Sequence, residues 1–253
     1  ICTGTIGAAV LASHLNAPLL PADEDALAYA AEHLAKKGTA WLIGGKESIS
    51  DEFAAHFPRT KRIWGEGRYQ TSVLIARQLG KVNTVVLCSD KGYSDALGVA
   101  AIAASNKWPI LPAGKENLPP AVQEYLLERC PENIVLVGSH GVVSYDLEDK
   151  IRKMLPTANF ERVQGHNRFA TLAAALMKYS SNTMNLYFAS ENDVTGALAG
   201  SVLAAENRGV LILCNPAYLD LPPALDHYVF SLQTMPLLHA IGGQLAVSDE
   251  TVL

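Results

Sequence analysis

The residues best placed to do chemistry are Arg68 and Arg168, which stand at an offset of 100 residues (168 − 68) in matching surroundings. The stretch from Arg62 through Gly65, Arg68 and Tyr69 to Thr71 aligns with Arg162 through Gly165, Arg168 and Phe169 to Thr171. Behind Arg68, apolar residues recur at helical spacing (Tyr69, Val73, Ala76, Leu79), so this arginine is predicted to open a helix. A cation there opposes the helix dipole, which favours negative charge at that end. Something anionic must compensate, and the planar guanidinium fork suits a carboxylate or a phosphate-like group equally. Two readings follow: an ion pair between units, or a bound anion. Arg62 and Arg162 read as exposed and solvated.

Other candidates are weaker. Asp95 has the chemistry of a general base, but its counterparts in the repeats described below are Gly4 and Gly196. The pairs Gly44-Gly45 and Gly242-Gly243 follow apolar runs without G-x-G-x-x-G or Walker spacing, so tight turns explain them better than a phosphate cradle. The seven histidines recur at no common place, and neither G-x-S-x-G nor H-E-x-x-H occurs.

The elements that must position these residues come from a unit of about a hundred residues, used three times. Ala96-Leu97 through Pro109-Ile110-Leu111-Pro112 pairs with Ala197-Leu198 through Val210-Leu213, and with Ile6-Gly7 through Pro18-Pro21. Each unit closes alike: Ile43-Gly44-Gly45 with Ile49-Ser50, Val137-Gly138-Ser139 with Val143-Ser144, and Ile241-Gly242-Gly243 with Val247-Ser248. The repeats are read as residues 1–60, 61–157 and 158–253, the first lacking its opening part. In the middle repeat, short apolar strands over 84–88, 108–111 and 133–137 alternate with helices over 69–79, 94–106, 120–129 and 146–154. Ser94-Asp95 and Ser144 supply helix caps. Strands apolar on both faces, alternating with helices, predict a parallel α/β sheet covered on both sides. Ligands of such sheets bind at the carboxyl ends of the strands, here the loops 89–95, 112–118 and 138–144. Gly, Ser and Asp also make good turns and caps, which is the simpler account of each loop taken singly.

Composition sets limits. At 49% hydrophobic and 18% charged, the 253-residue chain has material for real cores. A net charge of −5 offers no global attraction for nucleic acid or an anionic membrane, so an anionic partner must be held locally. No apolar run reaches the roughly 18–20 residues of a spanning helix. Cys2, Cys88, Cys130 and Cys214 form no metal-site spacing and read as free thiols, which points away from an oxidising compartment unless the host is anaerobic. The start at Ile1, without Met or a leader pattern, is expected of a processed or partial copy and says nothing about compartment.

The R-x-x-G-x-x-R-[YF]-x-T stretches, Ser94-Asp95-Ala96-Leu97, Pro109-Ile110-Leu111 and the [IV]-G-[GS] turns together resemble the cell wall binding repeat 2 family of Gram-positive bacteria. The resemblance covers essentially the whole chain. It implies Toprim-like, Rossmann-like α/β units packed in threes with pseudo-threefold symmetry. It implies a non-catalytic, extracellular module, without cofactor or metal, that attaches surface-layer proteins, amidases and proteases to an anionic cell wall polymer. Other domains are then expected in the full-length protein. The implied ligand contacts are Arg68, Tyr69, Thr71, Ser94, Asp95, Pro109, Gly138, Ser139, Arg168, Phe169 and Thr171, with Gly44, Gly45, Gly242 and Gly243. Because Asp95 is not repeated, some units would serve as scaffold only. The residues alone leave two other readings open. One is an enzyme acting on a phosphate-containing or small anionic substrate at a single site in the middle repeat. The other is an assembly unit whose repeat surfaces bind protein.

Overall fold

A computed structural model describes residues 6–33, 38–91, 94–215, 221–243 and 246–247. The first repeat contains α1 (Gly7–His14), α2 (Glu24–His33), β1 (Ala40–Ile43) and α3 (Asp51–Ala55), and β2 (Thr60–Ile63) opens the middle one. The middle repeat continues with α4 (Arg68–Gln78), β3 (Thr84–Ser89), α5 (Ser94–Gly98), α6 (Ala100–Asn106), β4 (Ile110–Ala113), α7 (Pro120–Arg129), β5 (Asn133–Val137) and α8 (Tyr145–Met154), and β6 (Asn159–Val163) opens the third. The third goes on with α9 (Arg168–Tyr179), β7 (Asn185–Ser190), α10 (Val194–Glu206), β8 (Val210–Cys214), α11 (Pro223–Ser231) and β9 (Leu237–Ile241).

Local chemistry explains most boundaries. Ser50 and Ser144 cap α3 and α8 by accepting from the N–H groups of Phe53 and Leu147. Pro120 and Pro223 sit in the first turns of α7 and α11, where a missing N–H costs nothing. One expected helix is split. Residues 94–106 form α5 and α6, divided at Val99 directly after Gly98, the weakest helix former in the stretch. Leu172 of α9 lies 3.4 Å from where a Cβ on Gly98 would sit, so the glycine admits a neighbouring helix. In the first repeat, residues 18–21, the counterpart of β4, are not in a strand.

All strand pairs are parallel, in orders β1-β2, β4-β3-β5-β6 and β8-β7-β9. The strand that opens each sequence unit pairs with the sheet before it: β2 with β1, and β6 with β5. Successive residues of β3 enter different cores. Val85 and Leu87 join the cluster under α7 and α8, whereas Val86 and Cys88 join the cluster that runs through all three repeats. The middle sheet is thus buried on both faces, as expected of parallel strands between helix layers. The corresponding helices α1, α6 and α10, one per repeat, all pack against one another. Their Ala- and Gly-rich surfaces allow close approach. Cys88 and Cys214 are buried free thiols, with pKa values pushed up by burial to about 12 and about 11. Such buried thiols are inert.

Candidate functional site

Matching glycines and backbone bonds mark the carboxyl ends of β1, β5 and β9. Gly44, Gly138 and Gly242 have φ of +142°, +110° and +107°, a region that side chains avoid. The next residue then receives two backbone bonds. Gly45 O accepts from Ser48 and Ile49, Ser139 O from Val142 and Val143, and Gly243 O from Ala246 and Val247. Ser248, the last landmark of the third repeat, lies outside the described residues, as does Gly4.

Arg62 and Arg162 are tied to these turns. Arg62 Nη1 donates to Gly44 O at 2.9 Å, and Arg162 Nη1 to Gly138 O at 2.8 Å. The Arg162 side chain is only 9% exposed, and its Nε and Nη2 both donate to Glu148 Oε2, at 3.1 and 2.6 Å. The expectation that these arginines are solvated is therefore incorrect. Each fastens the opening strand of one unit to the end of the strand before it.

Arg68 and Arg168 are exposed at the first turns of α4 and α9. Arg68 Nη1 donates to the Asp90 carbonyl at 3.0 Å, and Tyr69 Oη donates to the Asp90 carboxylate at 2.5 Å. Arg168 Nη1 meets Glu191 Oε2 at 3.0 Å, and Asn215 donates to the other Glu191 oxygen. Asp90 and Glu191 occupy the same place in successive repeats, just beyond Ser89 and Ser190. A protein carboxylate thus answers the Arg168 cation, whose side chain remains 49% exposed. Phe169 is half-buried against the shared core. Thr71 and Thr171 are buried and act identically. Each hydroxyl accepts from the N–H of Gly65 or Gly165 and donates to the carbonyl of Gly67 or Asn167.

Asp95 is where two repeats meet. Its Oδ2 lies 3.3 Å from the position a Cβ on Gly138 would take. Burial raises its pKa, and the nearby Arg168 guanidinium from the next repeat partly opposes that shift. Asp95, Gly138, half-buried Ser139 and Arg168 therefore lie together at the carboxyl end of the middle sheet. Ser94 opens α5, and its side chain lies outside the described residues. Pro109 is elsewhere: it is buried at the entry to β4, with its carbonyl bonded to Val86 N–H. Gly44 and Gly45 lie at the junction of the first and second repeats. Gly45 is covered by the Trp64 indole, which itself stays 58% exposed. Gly242 and Gly243 are exposed.

Residues 62–148 and 162–252 match the model of the cell wall binding domain 2 (CWB2) family. The chain belongs to that family. It is 30% identical over 217 residues to the N-acetylmuramoyl-L-alanine amidase LytC of Bacillus subtilis (strain 168), a match spanning 83% of this chain and 42% of the amidase. It is 28% identical over 208 residues to the amidase enhancer of the same organism, covering 80% of this chain and 28% of that protein. Two solved structures share the fold. Cwp6 from Clostridium difficile superposes with a TM-score of 0.86 at 22% identity, over 96% of this chain and 40% of Cwp6. Cwp8 from the same organism gives 0.82 at 26% identity, over 96% of this chain and 43% of Cwp8. The CWB2 chain thus spans less than half of each of these relatives. Its family role is cell wall binding, and it acts outside the cell at the wall.

Several residues at these junctions carry no obvious signal in the sequence of the CWB2 chain: Asp90 and Glu191 as arginine partners, Asn167 as the α9 cap, and the Arg162–Glu148 pair. The first two acidic residues do leave a trace, because both directly follow a serine at matching repeat positions. Glu148 leaves none, because its counterpart in the first repeat has drifted: Arg62 meets Asp51 instead, at 3.6 Å.

Proposed function

We propose that this CWB2 chain is a non-catalytic anchor that holds a larger surface protein to an anionic secondary polymer of the cell wall. The observation that carries the reading is the repeated junction. Twice, an exposed arginine opens the helix that follows a strand joined to the preceding sheet. Free N–H groups of a helix's first turn and a guanidinium fork together suit phosphate or carboxylate groups. Arg168 keeps half of its side chain open while bound to Glu191, so a polymer anion can share it. The mutual packing of α1, α6 and α10 supports an arrangement of the three Toprim-like units about a pseudo-threefold axis, which would present the junctions around one rim. Any catalytic domain would lie in the part of the protein outside this chain, consistent with the modest share of each relative that it spans.

Sedimentation with purified Gram-positive walls tests the reading. Exposed charges are screened beyond about 10 Å at 0.1 M salt, so bound fraction should fall as salt rises. The double substitution Arg68→Ala, Arg168→Ala should lower it further while leaving the melting transition in place. Binding that ignores both salt and the double substitution would rule out an anion held by these arginines.

A further inference from the structure

We propose that the two junctions between repeats each present an aromatic ring on which a pyranose sugar of the secondary wall polymer stacks: Trp64 at the first and Tyr145 at the second. This deepens the anchor reading and rests on it. Trp64 directly follows β2, and its indole lies on the turn that ends β1. A Cβ on Gly45 would stand 2.6 Å from the indole Nε1, 2.9 Å from Cδ1 and 3.1 Å from Cε2. These distances differ too little for a point beyond the ring's edge, so that position lies over the ring face. Glycine is needed there because any side chain would lift the indole off its seat. With one face on the backbone, 58% of Trp64 is still exposed. The other two tryptophans are mostly covered: Lys61 lies over Trp41, and Tyr179 meets Trp108 edge to face.

At the second junction Gln164 and Ser139 stand in place of Trp64 and Gly45, so that seat is absent. A ring appears there from other positions. Tyr145, the first residue of α8, stacks on His140 of the closing turn, with centroids 3.3 Å apart and planes within 14° of parallel. Tyr145 is 67% exposed and the His140 side chain only 24%, so tyrosine forms the outer face. The corresponding pair at the first junction is Lys46 and Asp51, an exposed salt bridge. The ring has thus changed its place in the sequence, yet each junction keeps one ring backed on one side and open on the other. Single apolar residues on a surface need no explanation, but two backed rings at matching junctions do. A stable protein interface buries about 800 Å² per partner, far more than a lone ring flanked by charges offers. A pyranose fits: its C–H face meets the electron-rich face of the ring, and its hydroxyls reach polar groups such as Lys46 and Asp51 at the rim.

The test measures sedimentation of the whole chain with purified Gram-positive walls, intact and acid-stripped, for Trp64→Ala, Tyr145→Ala and the double variant. The double substitution should weaken binding to intact walls about tenfold, the scale of an aromatic hot spot. Salt screens charges but not stacking, so the loss should persist at high salt. Trp64→Phe keeps a ring over Gly45 and should restore most of the affinity. Acid-released polymer should change the tryptophan fluorescence of the unaltered chain and not that of Trp64→Phe. Urea midpoints show that each variant is folded; if Trp64→Ala is not, Tyr145→Ala and Trp64→Phe carry the test. Folded ring variants that bind intact walls as tightly as the unaltered chain, with binding still weakened by salt, would overturn the stacking and leave the anchor reading in place. An unaltered chain that binds no walls would overturn both. Ring-dependent binding that survives stripping would also overturn the proposal, by moving the sugar to the peptidoglycan strands.

Discussion

Arg162 Nη1 donates to the carbonyl of Gly138 across 2.8 Å, from the opening strand of the third sequence repeat to the closing turn of the second. The glycine needs its positive φ to aim that carbonyl, and the arginine needs Glu148 to be buried at all. Repeat identity and repeat junction are therefore the same feature.

Glu148 should carry much of this junction's pH dependence. Burial raises its carboxyl pKa, but hydrogen bonds from Arg162 and Arg152 outweigh burial and leave it below the ordinary 4.5. A depressed folded-state pKa gives stability that is complete above the unfolded value and lost as pH falls through the folded one. Glu148→Gln strands Arg162 and should cost about 3 kcal/mol near neutrality. Melting curves of the two proteins should converge as pH falls below the glutamate range. A constant gap down to the lowest workable pH would contradict this.

Gly138→Ala should destabilise by about 2 kcal/mol or more. The added Cβ would meet Val142 Cγ2 at 2.5 Å and impose a side chain at φ +110°. Urea denaturation should show a lower midpoint with an unchanged slope.

Thr171→Val keeps the shape of the buried side chain and removes the acceptor for Gly165 N–H and the donor to Asn167 O. An unpaired buried donor costs about 1–3 kcal/mol. Thr71→Val should cost a similar amount through Gly65 and Gly67. Denaturation of both single variants and the double variant would show whether the two losses are comparable and add, as expected for well-separated sites.

Thiol labelling under native conditions should separate the described cysteines. Cys130 is exposed and should react readily, while Cys88 and Cys214, buried with raised pKa values, should react only as the protein unfolds.

Much of this architecture is legible in the amino-acid sequence. The apolar runs at Thr84–Ser89 and Asn133–Val137, the Ser144 cap and the Gly80 stop are local signals, and the elements form where those signals lie. The arginines at helix starts are legible too, because an opposed dipole demands a partner. What the sequence conceals is non-local. Nothing within Asn159–Val163 says that it joins the sheet of the preceding unit, since a short strand carries no information about its neighbour. Arg162 reads as solvated because its acceptor is 24 residues away along the chain. Pro109 is a ligand contact by the family resemblance, yet chain direction places it at the far end of its strand from Asp95 and Arg168.

The central claim is attachment to an anionic wall polymer, and co-sedimentation of the chain with Gram-positive walls, with and without acid removal of their secondary polymers, tests it most directly. The chain should bind intact walls and lose that binding on stripping. The released polymer, added in solution, should displace the chain from untreated walls. Equal binding to stripped and intact walls would contradict it and move the ligand to the peptidoglycan itself.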